Sequence, residues 1–316
     1  MNPKSEANRL SDTPTSALPK PRVSIGMPVY NSEKYVAAAI ESHLNQTHTD
    51  FELVITDNAS TDRSEEICRS FASTDSRVKY HRNPQNLGAS ANYRRCFELS
   101  VGEYFRWSPS DDLVSPNLLE LAVAILDQDS SIFVAYPATK LIDEHGQIIG
   151  DFDEKLHSMD DRPSVRWMSV LSNLRLGNLI YGLSRASKLR KTGLIRNYTG
   201  GDFPLIAEMS LYGKFFEIPD AFFYRRMHKD ASSAMKTGAE VMALYDPKKR
   251  DSLFLYNWVH LGARLRSIAR APIPFFEKLR IYLFEVRSII WNRKEFAADL
   301  VHAVRHIVRK VTHPPA

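Results

Sequence analysis

Residues 23–31 read V-S-I-G-M-P-V-Y-N, an apolar run that ends in an aromatic side chain and an amide. Residues 51–62 repeat the pattern as F-E-L-V-I-T-D-N-A-S-T-D, where six strand-like residues precede a polar loop. Short apolar runs bounded by turn-forming residues are typical of buried parallel strands. A helical pattern follows each run, so the chain is expected to begin as a β-α-β unit.

The same alternation continues to about Tyr136. It predicts an α/β fold of mostly parallel strands, with helices on both faces of the central sheet. Further along, strands are expected at residues 179–183 and 222–226, and a helix at 203–212. After Met235 the pattern is wholly helical and is interrupted once, by A-P-I-P at residues 271–274.

Composition excludes several classes of protein. The 316 residues are 43% hydrophobic and 25% charged, which is typical of globular domains. Two cysteines exclude a disulfide scaffold and a four-cysteine zinc site, and they favour a reducing, cytoplasmic compartment. No apolar run is long enough to span a membrane. Residues 1–21 are polar, lack the apolar core of a signal peptide and are expected to form a disordered leader.

Positive charge is concentrated near the C-terminus. The chain has 42 Lys and Arg residues and 37 Asp and Glu residues. Residues 251–316 contain 11 of the basic and five of the acidic residues, which gives this segment a net charge of +6. The rest of the chain is nearly neutral, which argues against nucleic-acid binding by the body of the protein.

Polar loops follow three of the predicted strands, at residues 28–31, 57–62 and 110–112. In an open α/β sheet, ligands bind beyond the carboxyl ends of the strands. Taken singly, Tyr30 is more often a packing residue and Asp62 a turn former or helix cap. The vicinal carboxylates Asp111 and Asp112 are suited to Mg²⁺ or Mn²⁺, which bridge to phosphate oxygens. Neither a dinucleotide-binding glycine motif nor a P-loop is present.

These motifs, together with N-L-G at residues 86–88 and G-E-Y-F-R-W-S-P-S-D-D at 102–112, resemble family 2 glycosyltransferases of the GT-A fold. The resemblance implies a GT-A catalytic domain at 22–235. Residues 22–125 would form its nucleotide-sugar-binding half and 126–235 its acceptor half. Residues 236–316 would then be a basic, amphipathic helical region at the C-terminus.

The resemblance assigns donor-binding roles to the first two loops. Pro28, Val29 and Tyr30 match the loop that packs on the nucleotide base. Asp57 matches the acidic residue that contacts the base or ribose. Many family members have a second Asp at the next position, where this chain has Asn58, and an amide can donate as well as accept a hydrogen bond.

Further along, the resemblance places Asn86 and Gly88 in the loop beside the donor. The family's D-x-D metal motif corresponds to Ser110-Asp111-Asp112, in which Ser110 replaces the first Asp. Asp112 is then the expected metal ligand for Mn²⁺ or Mg²⁺, and Asp111 is expected to face the donor ribose or sugar.

Two later residues complete the predicted site. Asp202 resembles the catalytic base of inverting members, although Gly201 replaces the Glu that often precedes it. A plain helix N-cap is the alternative role for Asp202. His228 lies in Y-R-R-M-H, which resembles a family segment whose His reaches the metal or the diphosphate.

The resemblance therefore implies an inverting, metal-dependent transferase. It would move a sugar from a nucleotide-diphosphate sugar to a hydroxyl acceptor in polysaccharide, lipid-linked or cell-envelope glycan synthesis. Three alternatives remain: a non-catalytic relative that binds nucleotide sugar or glycan, a nucleotidyltransferase and a nucleic-acid binder. Retention of Asp111, Asp112 and Asp202 disfavours the first, and the loop chemistry at residues 28–30 and the charge distribution disfavour the other two.

The C-terminal region allows two compatible interpretations. An apolar stripe recurs every three or four residues through Phe296, Leu300, Val301, Val304, Ile307, Val308 and Val311. The segment 279–291 is also apolar, with basic residues around it. Such helices pack as a cap on the catalytic domain, or they contact anionic lipid at the inner face of the cytoplasmic membrane.

Overall fold

The protein is described here by a computed structural model that covers residues 20–229, 244–245 and 253–312. Residues 1–19 of the expected leader and the expected boundary at 235–236 lie outside these ranges. The strands are β1 Val23–Val29, β2 Phe51–Asp57, β3 Val78–Arg82, β4 Tyr104–Trp107, β5 Leu113–Val114, β6 Ile132–Ile142, β7 Ile148–Phe152, β8 Leu183–Arg185 and β9 Lys214–Arg226. The helices are α1 Val36–Leu44, α2 Ser64–Thr74, α3 Ala89–Leu99, α4 Leu118–Gln128, α5 Pro163–Asn173, α6 Ala186–Leu189, α7 Asp202–Tyr212, α8 Tyr256–Arg270, α9 Phe275–Trp291 and α10 Arg293–Thr312.

One sheet holds all the strands of the described residues, in the order β3-β2-β1-β4-β8-β6-β9-β5, with β7 beside β6. The pairs β1–β2, β2–β3, β1–β4 and β6–β9 are parallel, and β8 enters antiparallel between β4 and β6. The prediction of a GT-A type α/β fold with a mostly parallel central sheet and C-terminal helices is confirmed. Because β1, β2 and β4 run in the same direction, the loops that follow them meet at one edge of the sheet.

Alternating side chains of β1 enter different packing layers. Val23, Ile25, Met27 and Val29 are fully buried in one hydrophobic cluster. On the other face, a Cβ at Gly26 would lie 2.6 Å from Cβ of Cys96 in α3. The glycine therefore allows α3 to pack directly on the backbone of β1.

Residues 178–183 differ from the prediction of a strand. Asn178–Tyr181 forms a 3-10 helix, and only residues from Leu183 onward pair in the sheet. The buried carboxylate of Glu154 explains the difference, because it accepts hydrogen bonds from four consecutive backbone N–H groups at residues 175–178. Gly177 begins the turn with a φ of +70°, which glycine adopts readily.

The C-terminal helices α8 and α9 are anchored to the catalytic part of the chain by buried charge. Glu285 of α9 is 1% exposed, accepts a hydrogen bond from Trp167 Nε1 at 3.0 Å, and pairs with Arg264 of α8 at 3.0 Å. Ile268 and Ile281 are fully buried in the cluster that includes Trp167. The inner faces of both helices thus cap the catalytic part.

Replacing Arg264 with Met is expected to destabilise the protein by about 3 kcal/mol, because it leaves the Glu285 charge buried without its cation. Urea denaturation measures this free energy of unfolding. Arg266 is exposed on the same helix and provides the control, since Arg266→Met should change the free energy by no more than about 0.5 kcal/mol. Equal effects of the two substitutions would show that the ion pair does not anchor α9.

Candidate active site

The three polar loops predicted to form a site are joined by direct hydrogen bonds. Asn31 has a φ of +48°, its N–H donates to Ser60 Oγ at 3.0 Å, and its Oδ1 accepts from the Thr61 N–H at 2.8 Å. Ser32 Oγ lies 2.7 Å from Ser110 Oγ. The loops after β1, β2 and β4 therefore form one continuous edge.

Asp62 links the loop after β2 to the chain that follows β1. Its carboxylate accepts hydrogen bonds from the backbone N–H groups of Glu33 and Ser64, each at 3.0 Å. These contacts are those of a turn former, as the residue type alone indicates.

Of Pro28, Val29 and Tyr30, only Tyr30 is open to solvent. Its side chain is 42% exposed, whereas Pro28 and Val29 are buried at the end of β1. Val29 O accepts a hydrogen bond from the Asn58 N–H at 2.8 Å. An exposed ring on a fixed backbone is suited to stacking on a nucleobase.

Asp57 is fully buried and already paired. Its Oδ2 accepts hydrogen bonds from Tyr80 O–H at 2.6 Å and Arg82 Nη1 at 2.7 Å, and its Oδ1 accepts from the Ser60 N–H at 2.8 Å. Asp57 therefore holds Arg82 at the site edge. Sequence reasoning missed Arg82 and Tyr80, although the register of β2 and β3 places Arg82 opposite Asp57.

Asn58 shapes the loop beside the donor rather than pointing into solvent. It is 2% exposed, its Nδ2 donates to Asn86 Oδ1 at 2.8 Å, and its Oδ1 accepts from the Leu87 N–H at 2.9 Å. Asn86 Oδ1 also accepts from the N–H of Gly88, whose φ is +84°. Three residues predicted to bind donor thus form one network.

The vicinal carboxylates are held by the end of β9. The Arg226 N–H donates to Asp112 Oδ1 at 2.7 Å, and its Nε donates to Asp111 O at 2.8 Å. His228 Nε2 lies 3.0 Å from Asp111 Oδ2. Burial and the neighbouring Asp111 charge raise the pKa of Asp112 well above its usual range. Sequence reasoning did not identify Arg226, although Arg226 lies in the same Y-R-R-M-H segment as His228.

Asp202 is the first residue of α7, and the N-cap position belongs to Gly201. Within the described residues no side-chain hydrogen bond caps this helix, which favours a role for Asp202 other than a plain N-cap. Asp202 Oδ1 is buried, and none of the described residues forms a hydrogen bond with it. Burial raises the pKa of Asp202 to about 6, Glu154 adds to the rise, and nearby backbone N–H groups and Arg225 oppose it.

Two further residues connect Asp112 with Asp202. The positive charge of Arg225 opposes the rise in the pKa of Asp112 and of Asp202. The Arg225 guanidinium also donates a hydrogen bond to Asn178 Oδ1 at 2.5 Å. Burial raises the pKa of Tyr181, and the charges of Asp112 and Asp202 both contribute to that rise. The two predicted functional carboxylates therefore share one electrostatic environment.

Comparison with known proteins agrees with this site. Residues 24–155 match the sequence model described as Glycosyl transferase family 2. This segment, a little under half of the chain, is a family 2 glycosyltransferase sequence. The matched segment contains the three joined loops and the vicinal carboxylates.

Relatives within the family share parts of this chain. An uncharacterized glycosyltransferase of Methanocaldococcus jannaschii is 33% identical over 135 residues, which is 42% of this chain and 47% of that protein. The chondroitin synthase of Escherichia coli is 28% identical over 268 residues, or 84% of this chain and 36% of the synthase. This chain spans less than half the length of either relative.

The fold is also similar to that of a solved protein. The crystal structure of S. aureus TarS in complex with UDP-GlcNAc superposes with a TM-score of 0.65 over 90% of this chain and 81% of that one. The two sequences are 17% identical, so the likeness is one of fold.

The family 2 motif residues present a donor set that fits a divalent cation completed by substrate. No three or more Asp, Glu, His or Cys side chains are grouped to hold a metal within the described residues. Mg²⁺, however, is usually bound through one or two carboxylates together with waters and substrate phosphates. His228 Nδ1 is buried and has no hydrogen-bond partner in the described part of the chain. Asp112, together with His228, whose Nε2 lies 3.0 Å from the adjacent Asp111, offers carboxylate and imidazole donors of this kind.

Proposed function

We propose that this chain is an inverting, metal-dependent glycosyltransferase that moves a hexosyl or deoxyhexosyl group to a hydroxyl acceptor. The observation that carries the proposal is the placement of Asp202. Burial raises the pKa of its carboxylate to about 6, one of its oxygens has no hydrogen-bond partner among the described residues, and Arg225 acts on both Asp202 and Asp112. A base with a pKa slightly below neutral is ionised at neutral pH and retains affinity for a proton.

The donor would occupy the edge formed by the three loops. Tyr30 stacks on the base, Arg82 and the Asn86–Gly88 loop border the nucleoside, and Asp111 faces the ribose or sugar. Asp112 and His228 hold Mn²⁺ or Mg²⁺. When bound, such an ion neutralises charge on the leaving diphosphate.

Asp202 would act on the acceptor. Its carboxylate removes the proton of the acceptor hydroxyl as that oxygen forms a bond to the anomeric carbon. The bond from this carbon to the diphosphate oxygen breaks on the opposite face, and its electron pair leaves with the nucleotide diphosphate. The configuration at the anomeric carbon is therefore inverted.

A cleft of about 320 Å³ supplies an approach for the acceptor. It lies between α3 and residues 195–197, and Leu87 of the donor loop borders it. Arg94 closes one side, where its Nη2 donates to Ile195 O at 2.9 Å. An acceptor in this cleft would lie beside the loop at residues 86–88.

The setting we propose is glycan synthesis in the cytoplasm, on a polysaccharide, lipid-linked or cell-envelope acceptor. Cys68 and Cys96 are both free and buried, which agrees with a reducing compartment. A UDP-sugar is the first donor to test, because the TarS structures contain UDP and UDP-GlcNAc.

A panel of nucleotide sugars, measured by thermal shift with Mn²⁺, tests the function. One donor should stabilise the protein by about 2.7 kcal/mol at a hundredfold excess over its Kd. Release of the nucleotide diphosphate with an acceptor library, followed by NMR of the product anomer, then measures transfer and inversion. Binding without release under every acceptor condition would favour the non-catalytic relative, and no donor binding would refute both.

A further inference from the structure

Helix α9 presents a continuous apolar face to solvent. Its exposed apolar side chains include Phe275, Phe276, Leu279, Leu283, Val286 and Ile290. At 3.6 residues per turn, these six positions fall within an arc of about 100° that runs the length of the helix. Their exposed fractions range from 44% to 73%, so the described residues leave this face uncovered.

The charges of α9 are sorted between its two faces. Glu277 and Glu285 are buried on the inner side, against α5 and α8. The other exposed residues of the helix are Arg280, Arg287 and Trp291, and the Arg287 guanidinium lies 5.0 Å from the Trp291 ring centroid. The outer face of α9 therefore combines apolar groups with positive charge and has no exposed carboxylate.

Helix α10 extends this surface. Leu300, Val301, Val304 and Val308 are exposed and again fall within an arc of about 100°. Arg293, Lys294 and Arg305 are exposed, against one exposed carboxylate, Glu295. The side chains of Ile307 and Val311, included in the predicted stripe, lie outside the described residues.

Phe296 does not contribute to this surface. It is 6% exposed, and its ring packs 5.0 Å from that of Trp258 in α8. Of the apolar residues predicted to share one face of α10, Phe296 therefore anchors the helix on α8, whereas Leu300, Val301, Val304 and Val308 face solvent.

We infer that the outer face of α9, extended by α10, docks this protein on an anionic lipid bilayer, with α9 lying in the plane of the headgroups. An amphipathic helix with basic residues at its edge binds lipid by burying its apolar side chains and attracting anionic headgroups. No helix of the described residues is long and apolar enough to cross a membrane. The contact is therefore interfacial.

Charge favours lipid over a second copy of the chain. Two α9 faces placed together would bring Arg280 and Arg287 of both copies into one interface, where α9 supplies no exposed carboxylate to neutralise them. An anionic bilayer provides the opposite charge along the whole face. Large exposed apolar patches mark interaction surfaces. We therefore expect the outer face of α9 to bind an anionic bilayer.

Co-sedimentation with vesicles tests the inference on the full chain. The double variant Leu283→Glu, Val286→Glu places two charges at the centre of the face, at positions already in contact with water. Vesicles of phosphatidylcholine and phosphatidylglycerol in equal parts should bind the unmodified chain at low salt, and high salt should weaken this binding. The double variant should bind about tenfold more weakly or worse.

Ile149→Glu is the matched control, because Ile149 is 58% exposed on β7 and outside the proposed surface. This variant should bind vesicles as the unmodified chain does. Donor-induced thermal shifts should be unchanged in all variants, which separates this inference from the proposed function. Equal vesicle binding by the double variant, or no binding by the unmodified chain, would overturn it. So would a dimer in analytical ultracentrifugation that the double variant abolishes, with no vesicle binding.

Discussion

Asp112→Asn is expected to lower sugar transfer by about 100-fold or more. The substitution removes the negative charge that would hold the divalent cation, and that cation contributes several kcal/mol of charge stabilisation in the transition state. The fold should survive, because the Oδ1 of an asparagine can still accept the 2.7 Å hydrogen bond from the Arg226 N–H. Removal of a buried carboxylate that lies beside Asp111 also relieves like-charge repulsion.

Measurements of nucleotide binding distinguish the part of the affinity that depends on the metal from the part that depends on the loops. With Mn²⁺ and UDP present, the thermal shift of the Asp112→Asn variant should lose its metal-dependent part and keep the part due to Tyr30 and the adjoining loops. Asp161→Asn, at a side chain that is 89% exposed, should leave both parts intact. Normal turnover by Asp112→Asn, or undiminished turnover in excess chelator, would refute metal dependence through this residue.

The N-terminal half of the fold was predictable because β1, β2 and β4 are buried on both faces. The loops predicted at 28–31 and 57–62 follow apolar runs, and the structure extends β1 to Val29 and β2 to Asp57, into the first residues of those loops. Parallel order then brings the following loops to one edge. Strand ends therefore indicated the three loops, whereas Asp202 and His228 were assigned through the family resemblance.

Residues that act through partners were not predictable in the same way. Asp57 and Asn58 were assigned to the donor by their motif, yet Tyr80, Arg82 and Asn86 occupy their polar atoms. These partners lie on a third strand and in a later loop, so their role depends on sheet register. Local pattern likewise favoured a strand near residue 180, whereas the distant carboxylate of Glu154 imposes a helical turn there.

Periodicity also did not decide which apolar face of the C-terminal helices is buried. Helix α9 is apolar on both sides, because Ile281 packs in the core while Leu279 and Leu283 remain exposed. Its orientation is set by Glu277 and Glu285, whose buried contacts turn the opposite face outward. A polar anchor, rather than the apolar stripe, thus fixes the exposed surface.

Asp202→Asn is expected to lower turnover by about 100-fold or more while leaving donor binding almost unchanged. General-base assistance contributes roughly 10²–10⁴-fold, and an amide cannot accept the acceptor proton. Donor binding is measured by thermal shift, and turnover by release of the nucleotide diphosphate. Asp220→Asn, at an exposed position of β9, is the control and should retain full turnover. Normal turnover by Asp202→Asn would place the base elsewhere.

The pH dependence of kcat provides a second test of the same residue. Because burial raises the pKa of Asp202 to about 6, the basic form predominates above that pH, and kcat should fall about tenfold per unit below it. A midpoint near the ordinary value of 3.8 would mean that the carboxylate is solvated during catalysis. The residual activity of the Asp202→Asn variant should lack this acidic limb.

Stability should move in the opposite direction from activity. A folded pKa above the unfolded value means that protonated Asp202 stabilises the fold at low pH, and this contribution is lost as the pH rises from about 4 through 6. At pH 8 the native protein therefore holds an ionised, buried carboxylate with one unpartnered oxygen. Asp202→Asn removes that charge, so its unfolding temperature at pH 8 should equal or exceed that of the unmodified protein. A variant that is both inactive and markedly less stable would instead indicate that Asp202 supports the start of α7, and the loss of turnover would then have a structural cause.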